Sequence, residues 1–102
     1  MEPKVIHAIG ILEETELTKD VPISVRLVMN NFQNVINEII KTLKGSSESE
    51  TEIEKMLSIY LLKIKEEYPS AIQGYIVNIA KTRDEDNNIY YELIFIEKEK
   101  DE

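Results

Sequence analysis

The residues able to carry chemistry are few, and their spacings are poor. His7 is the single histidine. A histidine that binds metal or moves protons normally has partners at H-x-x-x-H or E-x-x-H spacing, and none is present. Asp84, Asp86 and Asn88 reproduce the D-x-D-x-N opening of a calcium loop. The glycine due next is Ile89, however, and the twelfth position is Phe95 instead of glutamate, so a solvated turn is the better reading. Glu13, Glu14 and Glu16, and the pair Glu66 and Glu67, are acidic clusters. Catalytic carboxylates need opposed environments in a cleft, and nothing in the spacing brings these together, so they read as solvated faces. Ser46, Ser47 and Ser49 have no base nearby and read as helix caps. No G-x-x-x-x-G-K-[ST], G-x-G-x-x-G or G-x-S-x-G motif occurs, and three widely spaced glycines cannot build a glycine-rich phosphate cradle. Catalytic, cofactor-binding and metal-binding residues are therefore all expected to be absent, and the chain is expected not to be an enzyme.

Five of the seven aromatic residues are tyrosines: Tyr60, Tyr68, Tyr75, Tyr90 and Tyr91. A stacking platform for single-stranded nucleic acid needs interleaved cations. Here Lys81 and Arg83 stand beside Asp84, Glu85, Asp86 and Glu92, so packing in a core or interface is the expectation. A net charge of −8 points the same way, since a phosphate backbone or anionic membrane would be repelled on average.

The elements that must position these residues belong to one domain. The 102 residues, 42% of them hydrophobic, suffice for a single modest core over 1–102. The absence of cysteine excludes disulfides, thiolate sites and cysteine nucleophiles. Met1-Glu2-Pro3 does not open a signal peptide, and no apolar run approaches a membrane span. A cytoplasmic location is expected.

Residues 20–43 carry the longest helical period. Val25, Val28, Met29, Phe32, Val35, Ile36, Ile39, Ile40 and Leu43 form one apolar stripe, with Arg26, Asn30, Asn34, Asn37, Glu38, Lys41 and Lys44 mostly outside it. Asp20 is the expected N-cap, with Pro22 in the first turn and Gly45 as a left-handed C′ residue. After the acidic, serine-rich linker 45–50, Ser49 with Glu52, or Ser47 with Glu50, forms a capping box. A helix over about Glu50–Tyr68 follows, ended by Pro69. Its stripe is Ile53, Met56, Leu57, Tyr60, Leu61, Ile64 and Tyr68, widened by Ile59 and Leu62 as though covered on two sides.

Residues 4–18 fit two templates. Val5, Ile6, Ile9, Leu12 and Leu17 have helical spacing, whereas the β-branched residues and Gly10 suit a strand with Val5, His7, Ile9 and Ile11 on one face. Ala8-Ile9-Gly10-Ile11-Leu12-Glu13-Glu14, followed by Asp20, Pro22, Val25-Arg26, Met29 and Asn31, resembles the second helical pair of a small uncharacterised archaeal family of all-helical, HEAT-like proteins. The resemblance covers 8–43 and implies a helix–turn–helix pair and an archaeal source, with no activity to carry over. Asn30 departs from the family's tryptophan, and everything after Lys44 differs.

Residues 71–82 and 89–98 read as strands joined by a polar turn. Ile89, Tyr91, Leu93 and Phe95 share one face, and Tyr90, Glu92, Ile94 and Ile96 the other. Gly74 marks a bulge or a close backbone approach. The expected fold is α+β, a three-helix N-terminal bundle followed by a two-stranded antiparallel hairpin. The alternative is β-α-α-β-β, with residues 4–12 as a strand. The expected function is a non-enzymatic protein-interaction module or small assembly subunit. It would pair with itself, as a homodimer, or with another chain through Ile72, Ile76, Ile94 and Ile96. The alternative function is a winged-helix-type DNA-binding regulator, on the order of three helices and then a hairpin.

Overall fold

The computed structural model describes residues 4–45, 49–70 and 72–98. The elements run β1 (Val5–His7), α1 (Ile23–Gly45), α2 (Glu50–Glu67), β2 (Tyr75–Arg83) and β3 (Ile89–Glu97). The three strands form one antiparallel sheet in the order β1-β3-β2. The three-helix bundle is thus corrected to two helices on a three-stranded sheet, the β-α-α-β-β arrangement. Both helices lie on one face of the sheet, α1 against β3 and α2 against β2.

The segment expected as a first helix fails to be one for local reasons. Only Val5–His7 pairs with β3, and it does so with Ile6 inward and Val5 and His7 outward. Ile6, Ala8 and Ile11 enter the core, whereas Ile9, Leu12 and Leu17 of the helical pattern are exposed. Gly10 turns the chain at φ +76°, a conformation open to glycine without steric cost. Thr15 and Thr18 then hold a compact turn, in which the Thr18 hydroxyl donates to the Glu13 carbonyl at 2.6 Å and accepts from the Thr15 N–H at 2.8 Å. Arg26, placed outside the apolar stripe by its charge, is buried. Its Nε donates to the Val21 carbonyl at 3.1 Å, and a guanidinium nitrogen lies 3.5 Å from the Leu12 carbonyl. A buried cation satisfied by loop carbonyls fixes the path of residues 12–21.

α1 is the long amphipathic element that the sequence predicts, with Met29, Phe32 and Ile36 buried. Its ends differ from expectation. The Pro22 carbonyl accepts the first helical bond, from Arg26, so Pro22 holds the N-cap position and Asp20 lies upstream. Gly45 is the last helical residue and adopts no left-handed conformation. α2 starts where expected, with the Ser49 hydroxyl accepting from the Glu52 N–H at 3.2 Å. Ser46 and Ser47 lie outside the described residues, as do Pro3 and the tail from Glu99. The Tyr68 N–H closes α2 on the Ile64 carbonyl, and the Tyr68 ring packs on Phe32 at 5.4 Å between centroids.

The hairpin is nine residues paired with nine, Tyr75↔Glu97 through Arg83↔Ile89. β2 begins later than residue 71 because Gly74 takes φ +90° in a turn closed by the Tyr75 N–H on the Ile72 carbonyl. The role of Gly74 is conformational, since a side chain there would meet nothing nearby. At the other end Asn87 is left-handed, at φ 66°, in a three-residue loop closed by Asp84 and Asn88, a bulged hairpin turn.

β3 is the central strand. Its odd-numbered residues face β1, as shown by the Glu97 N–H donating to the Lys4 carbonyl and the Ala8 N–H donating to the Leu93 carbonyl. β1 ends there, and the buried Gln33 of α1 takes over. Gln33 Oε1 accepts from the Leu93 N–H at 2.7 Å, and its Nε2 donates to the Tyr91 carbonyl at 3.2 Å. Nε2 also donates to Asn37 Oδ1 at 3.0 Å.

Phe32 is 5% exposed and lies where α1, α2 and the sheet converge. Phe32→Ala is expected to cost about 3–5 kcal/mol, a large share of a typical stability of about 5–15 kcal/mol, measured by urea denaturation.

Candidate interaction surface

Alternation along the strands divides the sheet into two faces. Tyr91, Leu93, Phe95, Val77 and Ile6 point to the helices and are buried. The opposite face carries no element among the described residues. The register there sets Val5, Ile96 and Ile76 in one row across all three strands, with His7, Ile94 and Asn78 in the next. Ile76 is 50% exposed, whereas Ile94 and Ile96, on the central strand, are half-buried by their neighbours.

Of the four residues expected at an interface, Ile76, Ile94 and Ile96 therefore share this outer face. Ile72 does not. It precedes β2 and packs against the core cluster, because the turn at Gly74 breaks the strand before reaching it. Val5, outside the four expected residues, completes the row. Its signal was the strand reading of the N-terminal segment, whose only paired residues are 5–7.

The outer face is nearly neutral for a chain of net charge −8. Its one carboxylate in the middle of β3, Glu92, is turned toward the N-terminal segment. Glu92 Oε1 lies 2.9 Å from His7 Nδ1, and Oε2 accepts from the Ile9 N–H at 3.2 Å. His7 thus sits at the end of a strand, with a carboxylate partner 85 residues away in sequence.

The other chemistry-bearing residues are scattered or engaged. Asp84 organises the hairpin turn. Its Oδ1 accepts from the Asp86 and Asn88 N–H groups at 2.9 and 2.8 Å, and its Oδ2 from Asn88 Nδ2 and the Tyr90 hydroxyl at 3.3 and 3.0 Å. These bonds, the Asn88 N–H foremost, hold its carboxyl below the usual aspartate range, and the same contact raises the Tyr90 hydroxyl. The tyrosines form no platform. Tyr91 is buried, Tyr60 and Tyr75 pack against the core, Tyr68 lies on Phe32, and Tyr90 is exposed. Burial raises the hydroxyls of Tyr60, Tyr75 and Tyr91. The hairpin's cations are engaged by α2. Lys81 Nζ sits 3.1 Å from Glu50 and 3.3 Å from Glu54, and Arg83 sits 3.4 Å from Glu50. No cluster of three or more potential metal ligands occurs among the described residues.

The hollows away from this face include two along α1. One, of about 450 Å³, runs between α1 and α2 and includes Val35, Ile39, Leu43 and Met56. Ile59 and Leu62 are exposed as well, so α2 is covered on one side only among the described residues. The other, of about 420 Å³, lies between the C-terminal half of α1 and the start of β3.

No family model, no curated protein and no solved structure matches this chain. The helix–turn–helix pair implied over 8–43 by the archaeal resemblance is not formed, since residues 8–22 are turns ahead of a single helix.

The bonds to Asp84 stabilise the carboxylate over the acid. Their contribution is complete above the ordinary aspartate value of 3.8 and is lost as pH falls through the depressed folded value. The wild type is expected to be more stable than Asp84→Asn at pH 7, with the gap narrowing below pH 3.8, followed by thermal melts across pH.

Proposed function

We propose that the chain is a non-enzymatic protein-interaction module that pairs with a second copy of itself through the outer face of the sheet. The observation that carries this reading is the cross-strand row Val5–Ile96–Ile76 with Ile94 beside it, on a face with no covering element among the described residues. An apolar row on one side of a small sheet is the usual mark of an association surface. An acidic chain meets its own copy with least repulsion where charge is lowest, and here the carboxylate of Glu92 is already turned to His7 and Ile9.

Size sets the expected strength. A sheet of three strands with nine residues in the longest presents a face of about 30 by 12 Å. Two such faces bury roughly 700 Å², below the roughly 1,200 Å² of standard stable interfaces. An interface of this size falls among weak, transient contacts, so association is sought at roughly 100 µM. The winged-helix reading draws no support, because the three helices it rests on are two and the hairpin's Lys81 and Arg83 are held by Glu50 and Glu54.

Sedimentation over a range of concentrations tests the proposal. The weight-average mass is expected to rise toward the dimer value near 100 µM, and Ile76→Lys, at an exposed site that tolerates the change, to remove that rise. A mass independent of concentration, or association unaffected by Ile76→Lys, would contradict it.

A further inference from the structure

β3 is paired along its whole length with β2, but along only part of its length on the other side. The ladder with β1 covers Val5↔Ile96 to His7↔Ile94, and Gln33 supplies partners for the Leu93 N–H and the Tyr91 carbonyl. Below that point the alternation of an antiparallel ladder turns the Tyr91 N–H and both backbone groups of Ile89 toward the side that β1 has left. No strand lies opposite them, because the chain turns away at Gly10. What lies there is the open groove of about 420 Å³, with Ile9 and Ile89 as apolar walls and Ile40, Lys41 and Lys44 along its α1 side.

We propose that this groove is a strand-addition site for an acidic, extended segment of a partner protein. Three observations define the occupant. The unfilled partners are backbone donors and acceptors in strand geometry, which an extended peptide satisfies and a helix cannot. The walls are apolar, which suits β-branched side chains on the added strand. Lys41 and Lys44 make no ion pair among the described residues, unlike Lys81 and Arg83 on the other edge. On a chain of net charge −8 they mark the one rim of this groove that attracts carboxylates. About three peptide residues span the unpaired stretch, so the segment is short. Gln33 sets where it stops, since it already occupies the next pair of β3 groups.

The site is separate from the outer face, and the test separates the two. A labelled peptide, Thr-Val-Glu-Val-Glu-Thr, is titrated into the protein at 10 µM, below the self-association range, with backbone amide shifts followed by NMR. The Tyr91 and Ile89 amides are expected to shift and to gain protection from exchange. The double variant Lys41→Glu, Lys44→Glu is expected to bind on the order of tenfold more weakly, with its own spectrum otherwise native. Replacing the second valine of the peptide by proline, which removes a backbone donor, is expected to abolish binding. The proposal is overturned if the peptide leaves these amides unmoved at millimolar concentration, or if a lysine-substituted peptide binds equally well. Shifts that fall at Ile76 and Ile94 instead would also overturn it. So would protection of Tyr91 and Ile89 that rises with protein concentration alone, which would make the occupant a second copy of the chain.

Discussion

The structure depends on a side-chain amide standing in for a strand. Where a central strand is buried away from water its backbone groups must be satisfied, because an unpaired buried N–H or C=O costs about 1–3 kcal/mol. β1 is three residues long against nine in β3, so the ladder runs out in the middle of the sheet. Gln33, on the face of α1 that crosses this point, offers the acceptor to Leu93 and the donor to Tyr91. The contact sets the position of α1 along the sheet, and Phe32 and Ile36 beside it then enter the core. It also releases the N-terminal segment from continuing as a strand, so residues 8–22 are free to turn back and be caught by Arg26.

The remaining architecture follows from burying one face only. α1 and α2 present a single apolar side each, and together they cover the inner residues of three strands. Ion pairs from Lys81 and Arg83 to Glu50 and Glu54 bind the far edge of the hairpin to the first turns of α2. Exposed pairs of this kind contribute little individually, but they give the two elements a fixed register. Three features are left over on the sheet among the described residues: an outer face with an apolar row, a length of β3 edge without a strand, and the outer edge of β2. All are unfinished surfaces of the same small sheet.

Much of this was legible in the sequence, for identifiable reasons. The helical period of 25–43, the serine cap at Ser49, the stop at Pro69 and the two-residue alternation of 89–96 are local patterns, and each reappears in place. The N-terminal segment was not legible. Its helical spacing is real, yet Gly10, the Thr15–Thr18 turn and pairing with a strand some ninety residues away override it, and pairing at that distance leaves no local trace. Ile72 reads with the outer face because Gly74, legible as a bulge or close approach, does not reveal from sequence that the chain turns there at φ +90° and ends the strand. Gln33 and Arg26 carry polar side chains at the margin of an apolar stripe, where periodicity assigns them to solvent. Their partners are backbone atoms, invisible to any pattern of residue types.

The central position of Gln33 is open to a direct measurement, the hydrogen exchange rate of the Leu93 amide. With the Gln33 amide completing the strand, the Leu93 N–H exchanges in the wild type only as slowly as the best-protected core amides, through global unfolding. In Gln33→Ala it exchanges much faster than Ile94 and Phe95, whose amides pair with β2 and β1, in the same molecule. A Leu93 amide that is unprotected in the wild type, or that keeps its full protection in Gln33→Ala, would contradict the account.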